Sequence, residues 1–321
     1  MISTLAGALG SLTLASLLAT RFGGKGLVPD AVVADPSFAL AVAIGALTTV
    51  GLAVWWGLPI STTHGLLGGL IGAGLVEAGV NGLNLSALGK SYLLPLLLSP
   101  VVAAMLAGGL QKLLQRWPAA ALYQLESCLC VEPVVASANQ APALSRDAGL
   151  VIDDAEKCDD AGLSQVGSVR VASLLDGAHL LAAGAVGFAR GLNDAPKIFG
   201  LMALAPAMRS GWSLTLVALA MALGGALFSR KIAQRVSFDI TSLDGVSATL
   251  SSFVTASLVI GASVFAWPVS TTHVSCGSLF GIGAATRTGR LGTIRTIALA
   301  WLATLPIAAV LAATTMLLLR R

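Results

Sequence analysis

A six-residue stretch, Pro59-Ile60-Ser61-Thr62-Thr63-His64, returns in this chain with one substitution as Pro268-Val269-Ser270-Thr271-Thr272-His273. Both copies follow a long apolar segment that ends in aromatic residues, and both continue into a glycine-rich segment. The glycines keep their register at an offset of about 209 positions, which indicates an internal repeat of a large unit. The matching glycines are Gly68, Gly72 and Gly74 in the first copy and Gly277, Gly281 and Gly283 in the second.

The repeated stretch has a simple explanation in helix capping, because Ser and Thr are good N-cap residues. Capping needs one residue and explains neither the histidines nor the shared glycines. We therefore interpret the repeated Ser-Thr-Thr-His core as part of a binding site formed where two repeats meet inside a membrane.

The composition is typical of a membrane protein. Hydrophobic residues make up 56% of the chain, charged residues 11%, and the mean hydropathy is +0.87. Soluble domains carry about 25% charged residues, so a soluble surface is excluded. The net charge of +4 is spread along the chain, and no basic patch suggests nucleic-acid binding.

The apolar pattern predicts an all-α, polytopic helical membrane protein with inverted repeats and broken or re-entrant half-helices. Stretches of about 20 residues are long enough to span a bilayer, and stretches of about 10–15 residues are too short. Spans are predicted near 2–20, 37–57, 92–114, 171–190, 211–229, 247–266 and 296–318, and half-helices at 65–79, 196–208 and 274–286. Interior breaks are predicted at 59–64, 191–197 and 268–273.

Three regions follow from this pattern. Residues 1–114 form a first membrane repeat, 115–170 a polar extramembrane linker, and 171–321 a second membrane repeat. The linker contains three cysteines at irregular spacing, which is an incomplete ligand set for zinc, so we predict no metal site.

A second polar segment, Arg190-Gly191-Leu192-Asn193-Asp194-Ala195-Pro196-Lys197, interrupts apolar sequence. It lies either at the surface or along a polar cavity, because so many polar groups are costly in lipid. In the second case, backbone carbonyls freed by a helix break, together with Asp194, suit a hard cation such as sodium.

An oxyanion suits the other groups of this constellation. Free amides at the half-helix N-termini favour an anion, and hydroxyl donors are offered by Ser61, Thr62, Thr63, Ser270, Thr271 and Thr272. Positive charge is available from Arg190 and Lys197, and His64 and His273 are further candidate anion or proton partners. Asp176 and His179, one helical turn apart, are either a proton relay or a satisfied interior pair.

These residues resemble the inorganic phosphate transporter (PiT) family, in which Pro-[Ile/Val]-Ser-Thr-Thr-His occurs in each half together with a Gly-x-Asn-Asp break. The resemblance implies inverted repeats around a phosphate and cation site. It implies that Asn193 and Asp194 contact phosphate and the coupling cation, together with Ser61, Thr62, Thr63, Ser270, Thr271 and Thr272. Family members are commonly coupled to sodium or protons, and some form dimers.

The chain departs from the family pattern at two places. The usual break reads Gly-Ala-Asn-Asp-Val-Ala-Asn-Ala, but Ala195-Pro196-Lys197 follows Asp194 here, which leaves the coupling ion and the choice of phosphate over sulfate open. The first half has no Asn-Asp segment, since the repeat offset places it about 15 residues before Met1. We expect the true start to lie upstream, the alternative being loss of the segment. We also expect a cavity beside Ser61–His64.

The sequence thus predicts a multi-pass protein of the cell membrane that transports inorganic phosphate by alternating access, coupled to Na⁺ or H⁺. It predicts no catalytic residues, no metal and no cofactor, with phosphate, the coupling cation, lipid and a second copy of the chain as partners. On this interpretation, Asp194→Asn abolishes uptake with little effect on folding. The alternatives are a permease for another oxyanion such as sulfate, a non-transporting membrane subunit, and a membrane enzyme that uses His64 and His273 with Asp194.

Overall fold

The structure is a computed structural model that describes residues 2–14, 16–116, 127–131, 150–154, 171–204 and 212–320. Helices dominate both halves of the chain. The first half contains α1 (Ile2–Leu14), α2 (Ser16–Phe22), α3 (Asp30–Val33), α4 (Pro36–Trp56), α5 (Thr62–Ala78), α6 (Leu85–Ala87) and α7 (Leu94–Gln115). A 3₁₀ turn at Val80–Gly82 follows α5, and a π-helical turn at Leu88–Leu93 joins α6 to α7.

The second half contains α8 (Val171–Met202), α9 (Trp212–Gln234), α10 (Gly245–Val264), α11 (Thr271–Thr286) and α12 (Leu291–Leu319). A π-helical turn at Arg235–Asp239 continues α9. The helix starts repeat the sequence offset, because α4 corresponds to α10 and α5 to α11 at about 209 positions. The internal repeat therefore extends from the motif to the helices around it.

Within the described residues, five helices are long and apolar enough to cross a membrane. They are Pro36–Trp56, Leu85–Gln115, Trp212–Asp239, Gly245–Val264 and Leu291–Leu319, which coincide with five of the predicted spans. The other two predicted spans, near 2–20 and 171–190, correspond to α1 with α2 and to the first part of α8. The protein is a multi-pass integral membrane protein.

The predicted breaks at 59–64 and 268–273 are confirmed. Each separates a long helix from a shorter one that begins at a serine N-cap: Ser61 for α5 and Ser270 for α11. The repeat extends to backbone conformation, since Gly57 and Ala266 both adopt left-handed φ values, of 66° and 54°. This conformation ends the preceding helix and turns the chain toward the half-helix.

The predicted break at 191–197, and with it the separate half-helix at 196–208, is wrong. α8 runs without interruption through this segment to Met202, with Pro196 inside it. The glycine that suggested a break serves packing, because a Cβ on Gly191 would overlap the carbonyl oxygen of Thr4 in α1. Gly200 likewise lies against the carbonyl of Ala19 in α2. Close helix packing of this kind is what small residues permit in membranes.

The half-helices pack reciprocally between the repeats. α5 is packed against α12, where a Cβ on Gly68 or Gly72 would overlap the backbone of Leu305 or Ala309. α11 is packed against α7 in the same manner, with Gly277 and Gly281 against Pro100 and Ala104. The shared glycine register therefore has a structural reason: each half-helix lies in backbone contact with the last long helix of the other repeat.

Residues 112–181 form a separate compact unit, and 1–111 with 182–321 form the other. The smaller unit contains an antiparallel pair of strands, β1 (Ser127–Val131) and β2 (Leu150–Asp154), in which Leu129 pairs with Ile152. Cys128 and Cys130 belong to β1, whereas Cys158 lies outside the described residues. The predicted division at 115–170 stays a prediction.

Candidate functional site

The N-termini of α5 and α11 meet in the interior. The Thr63 hydroxyl donates to the carbonyl oxygen of Val269 at 3.3 Å, and the rings of His64 and His273 lie 4.6 Å apart between centroids. Thr63 is fully buried, and Val269 is 5% exposed. The expectation that the two Ser-Thr-Thr-His segments lie together is therefore confirmed.

The serines of the two segments act as N-caps. The Ser61 hydroxyl accepts from the amide of His64 at 3.1 Å, and the Ser270 hydroxyl accepts from the amide of His273 at 3.2 Å. Between each serine and histidine lie two threonines, Thr62 and Thr63 in α5 and Thr271 and Thr272 in α11. Within the described part of the chain, their backbone amides have no protein acceptor. Free amides at a helix N-terminus attract anions.

α8 brings its polar side chains to this junction. The Asn193 amide nitrogen lies within hydrogen-bond distance of the Thr271 hydroxyl and the Val269 carbonyl, both at 3.2 Å, and of the Asp194 carboxylate at 3.0 Å. The Asn193 oxygen accepts from the Ser263 hydroxyl at 3.4 Å. Asn193 is fully buried, so these contacts satisfy an amide that would otherwise be costly inside a membrane.

Lys197 is the largest polar side chain at the junction, and it is 1% exposed. Its ammonium group donates to the Val269 carbonyl at 2.7 Å and to the Thr63 hydroxyl at 2.9 Å. It also forms an ion pair with Asp194 at 3.3 Å, and the Asp194 side chain is 14% exposed. The ammonium lies 5.7 Å from the centre of the Phe22 ring, within range of a cation–π contact. Lys197 thus joins α8 to both half-helix segments.

A stack of rings lies beside the junction. His273 stacks on Trp301 of α12 with 3.9 Å between centroids, and the Trp301 indole N–H donates to the Pro59 carbonyl at 2.9 Å. His64 Nδ1 and His273 Nε2 are buried and have no hydrogen-bond partner among the described residues. Those residues contain no cluster of three or more His, Cys, Asp or Glu side chains that could hold a metal ion.

Some predicted site residues are not buried in this junction. Thr62 is exposed, and Thr272 is half-buried. The Arg190 side chain, one helical turn before Asn193 on α8, is also exposed. Asp176 and His179 are both exposed on α8, so the interpretation as an interior pair is wrong. The other interpretation of these two residues, a proton relay, stays a prediction.

A cavity opens on each of the two repeated segments. One, of about 1350 Å³, is lined by Thr62 of α5 and has Arg230 and Lys231 on its wall. The other, of about 640 Å³, is lined by Val269 and Val274 and has Arg21 and Lys90 on its wall. The first cavity agrees with the expectation of open space beside Ser61–His64. The buried cluster of Thr63, Asn193 and Lys197 lines neither cavity.

Sequence reasoning missed three groups at the junction: the Val269 carbonyl, Ser263 and Trp301. Freed carbonyls were expected near Asp194 within α8, whereas the carbonyl that is used belongs to the second repeated segment. Ser263 was recognisable as a hydroxyl near the end of an apolar span. Nothing in the local sequence relates Trp301 to Pro59, which is far away along the chain.

Comparison with known proteins identifies relatives that are named as phosphate permeases or transporters. A protein of Pyrococcus abyssi that is named as a phosphate permease is 26% identical over 90% of this chain and 81% of its own length. A protein of Bacillus subtilis, named as a low-affinity inorganic phosphate transporter, is 25% identical over 90% of this chain and 77% of its own length.

A solved structure described as the sodium-dependent phosphate transporter matches with a TM-score of 0.75 over 99% of this chain and 88% of its own, at 23% identity. This likeness confirms the predicted fold class. The model of the Phosphate transporter family matches residues 1–312. Enzymes are thereby excluded from the alternatives that the sequence left open, and the chain belongs to the phosphate transporter family.

Proposed function

We propose that this chain transports inorganic phosphate across the cell membrane by alternating access, with transport coupled to a cation. Family membership and the names of its relatives support phosphate as the cargo. Phosphate, the coupling cation and lipid are the partners of this activity. A homodimer stays a prediction from the family resemblance, which cross-linking in membranes would test.

The observation that carries the proposal is the meeting of two helix N-termini. The partial positive charge at each N-terminus and four unused amides favour an anion between α5 and α11. Hydroxyl groups adjoin those amides and add donors for phosphate oxygens. The phosphate ligands we propose are Ser61, Thr62, Thr63, Asn193, Ser270, Thr271 and Thr272.

The surroundings supply the charges that coupling requires. We propose that the coupling cation, Na⁺ or H⁺, binds at Asp194 and Asn193. Lys197 balances the negative charge of Asp194 at the same position. His64 and His273 adjoin the anion position and are proposed as proton or anion partners. Arg190 is exposed and is not included in the proposed site.

The two cavities support alternating access. Each borders one of the repeated segments, and each has two basic side chains on its wall. Basic side chains raise the local concentration of an anion at a cavity entrance. The cluster of Thr63, Asn193 and Lys197 is buried between the segments, as expected for a conformation closed around the site.

Uptake of radiolabelled phosphate by reconstituted vesicles tests the proposal. Thr63→Val and Thr271→Val should each lower uptake about ten-fold or more, because a hydrogen bond to a charged group contributes about 1.5–3 kcal/mol. Thr296→Val is the matched control, since the exposed Thr296 hydroxyl donates within its own helix to the Gly292 carbonyl.

Unlabelled sulfate is added in a parallel series. Sulfate should compete weakly with phosphate, because a permanently dianionic tetrahedral ion has no proton to donate to an acceptor. Absence of uptake by folded protein would contradict the proposed transport. Full competition by sulfate, together with sulfate uptake, would establish the alternative oxyanion permease.

A further inference from the structure

The ammonium group of Lys197 is held in the manner of a bound metal cation. Three oxygen atoms surround it: the Val269 carbonyl at 2.7 Å, the Thr63 hydroxyl at 2.9 Å and the Asp194 carboxylate at 3.3 Å. An ammonium group has three hydrogen-bond donors, so these oxygens satisfy all of them. The side chain is 1% exposed, which leaves almost no solvent contact at this position.

The oxygens around Lys197 are of the kinds that hard cations select. A carbonyl, a hydroxyl and a carboxylate from three separate segments converge on one point, and oxygen ligands of these types bind hard metal ions. In broken-helix transporters, freed backbone carbonyls coordinate coupling ions near the substrate site. The Val269 carbonyl is such a group, because it belongs to the extended segment that precedes α11.

The negative charge of Asp194 is already neutralised without an added ion. Asp194 is 14% exposed, and its partner Lys197 is buried beside it, so the two form a neutral pair. A further monovalent cation at this position would meet an ammonium group about as close as the oxygens themselves. Like charges in a buried environment repel strongly, which disfavours a second cation here.

We infer that the Lys197 ammonium group fills the position of a coupling metal cation, so that Na⁺ neither binds at the Asp194–Val269–Thr63 oxygens nor drives transport. The part of this inference that concerns transport rests on the proposed function. Of the two coupling ions that the sequence left open, Na⁺ and H⁺, only the proton then remains. Removal of the ammonium group should expose the oxygens to a free cation.

The test compares the wild-type chain with Lys197→Ala and Lys197→Arg in buffers of NaCl or choline chloride at equal ionic strength. Thermal unfolding of the purified protein reports binding without any transport. Wild type should unfold at the same temperature in both salts. Lys197→Ala should unfold at least about 3 °C higher in NaCl, since a ligand that binds only the folded state stabilises it.

Two variants separate this role from a purely structural one. Lys197→Arg keeps a positive charge in this space and should show no sodium effect. Lys112→Ala is the control, because Lys112 is an exposed lysine in the last turn of α7 and lines neither cavity. It should behave as wild type in both salts.

Phosphate uptake is then measured in the same two salts. Wild-type uptake should differ by less than about two-fold, whereas sodium should stimulate Lys197→Ala at least about five-fold, the lower range of coupling between two sites. Unfolding or uptake of wild type that responds specifically to sodium would overturn the inference, as would a folded Lys197→Ala that ignores sodium. If that variant does not fold, the wild-type comparison decides alone.

Failure of the proposed function is distinguishable from failure of the inference. If the protein transports no phosphate but shows the predicted unfolding temperatures, Lys197 still fills the cation position and phosphate is not the cargo. If the protein takes up phosphate faster in NaCl than in choline chloride, phosphate is the cargo and the inference about Lys197 is wrong.

Discussion

At the scale of single residues, Asp194 and Lys197 depend on each other. Lys197 is buried, and Asp194 is the acidic group that pairs with it. Removing one member of a buried ion pair leaves the other charge without compensation, which typically costs about 3–5 kcal/mol. This dependence revises the expectation that Asp194 serves binding alone.

Asp194→Asn should therefore abolish phosphate uptake and also destabilise the protein, by about 3 kcal/mol, because the Lys197 ammonium loses its counter-charge. The double variant Asp194→Asn with Lys197→Met should recover most of that stability without recovering uptake. Thermal unfolding in detergent and vesicle uptake measure the two effects. An Asp194→Asn variant as stable as wild type would show that the ion pair contributes nothing to folding.

The sequence identified most members of the junction and few of their contacts. Thr63, Asn193, Asp194, Thr271 and Lys197 were recognisable because polar groups are rare in such apolar sequence. Their partners were not, since the contact of Lys197 with Thr63 joins residues 134 positions apart. Which oxygens meet an ammonium group depends on helix packing, and that information is absent from the local pattern.

At the scale of helices, glycine packing determines how the half-helices fit. A Cβ on Gly281 would overlap the carbonyl of Ala104 in α7. Gly281→Ala should thus lower stability by about 1–3 kcal/mol, the usual cost of overpacking. Gly109→Ala in α7 is the control, because a Cβ there meets nothing within 4 Å and the residue is exposed. Its stability should stay equal or rise; a loss equal to that of Gly281→Ala would contradict the packing argument.

The turn before α11 offers a stabilising substitution. Ala266 has a φ of 54° and is 2% exposed, whereas its counterpart in the first repeat is Gly57. A left-handed conformation costs an L-residue about 1–2 kcal/mol, partly offset by the greater freedom of glycine in the unfolded chain. Ala266→Gly should raise the unfolding temperature slightly, and Gly57→Ala should lower it. A lower unfolding temperature for Ala266→Gly would show that the methyl group outweighs the backbone strain.

Helix boundaries were predictable where a serine N-cap and an internal copy accompanied the proline. The breaks before α5 and α11 combine a proline, a serine N-cap and an internal copy of the same pattern. The segment around Pro196 has a proline and a glycine but continues as helix. A proline removes one backbone hydrogen bond and crowds the carbonyl four residues before it, which can kink a helix without ending it. Gly191 is required by the contact with α1. The same residues therefore signal a break or a packing contact, and only the tertiary structure distinguishes the two.

At the scale of the whole molecule, the two repeats exchange contacts in a way that suits alternating access. Each half-helix packs on the last long helix of the other repeat, through glycines in matching register. Under the proposed alternating access, a movement of one repeat would be transmitted through these contacts to the half-helix of the other. The two cavities, of about 1350 Å³ and 640 Å³, lie on the two segments that such a movement would open and close.

Single cysteines on the two cavities should detect this exchange. Ala220→Cys reports the larger cavity and Ser257→Cys the smaller one, in a background whose 4 native cysteines are replaced. Saturating phosphate should change their labelling by a membrane-impermeant maleimide in opposite directions, by at least about two-fold, because closing one side accompanies opening of the other. Thr296→Cys, exposed on α12 and absent from both cavity linings, should label at a constant rate. Parallel changes at Ala220→Cys and Ser257→Cys would contradict alternating access, since both cavities would then open to water together.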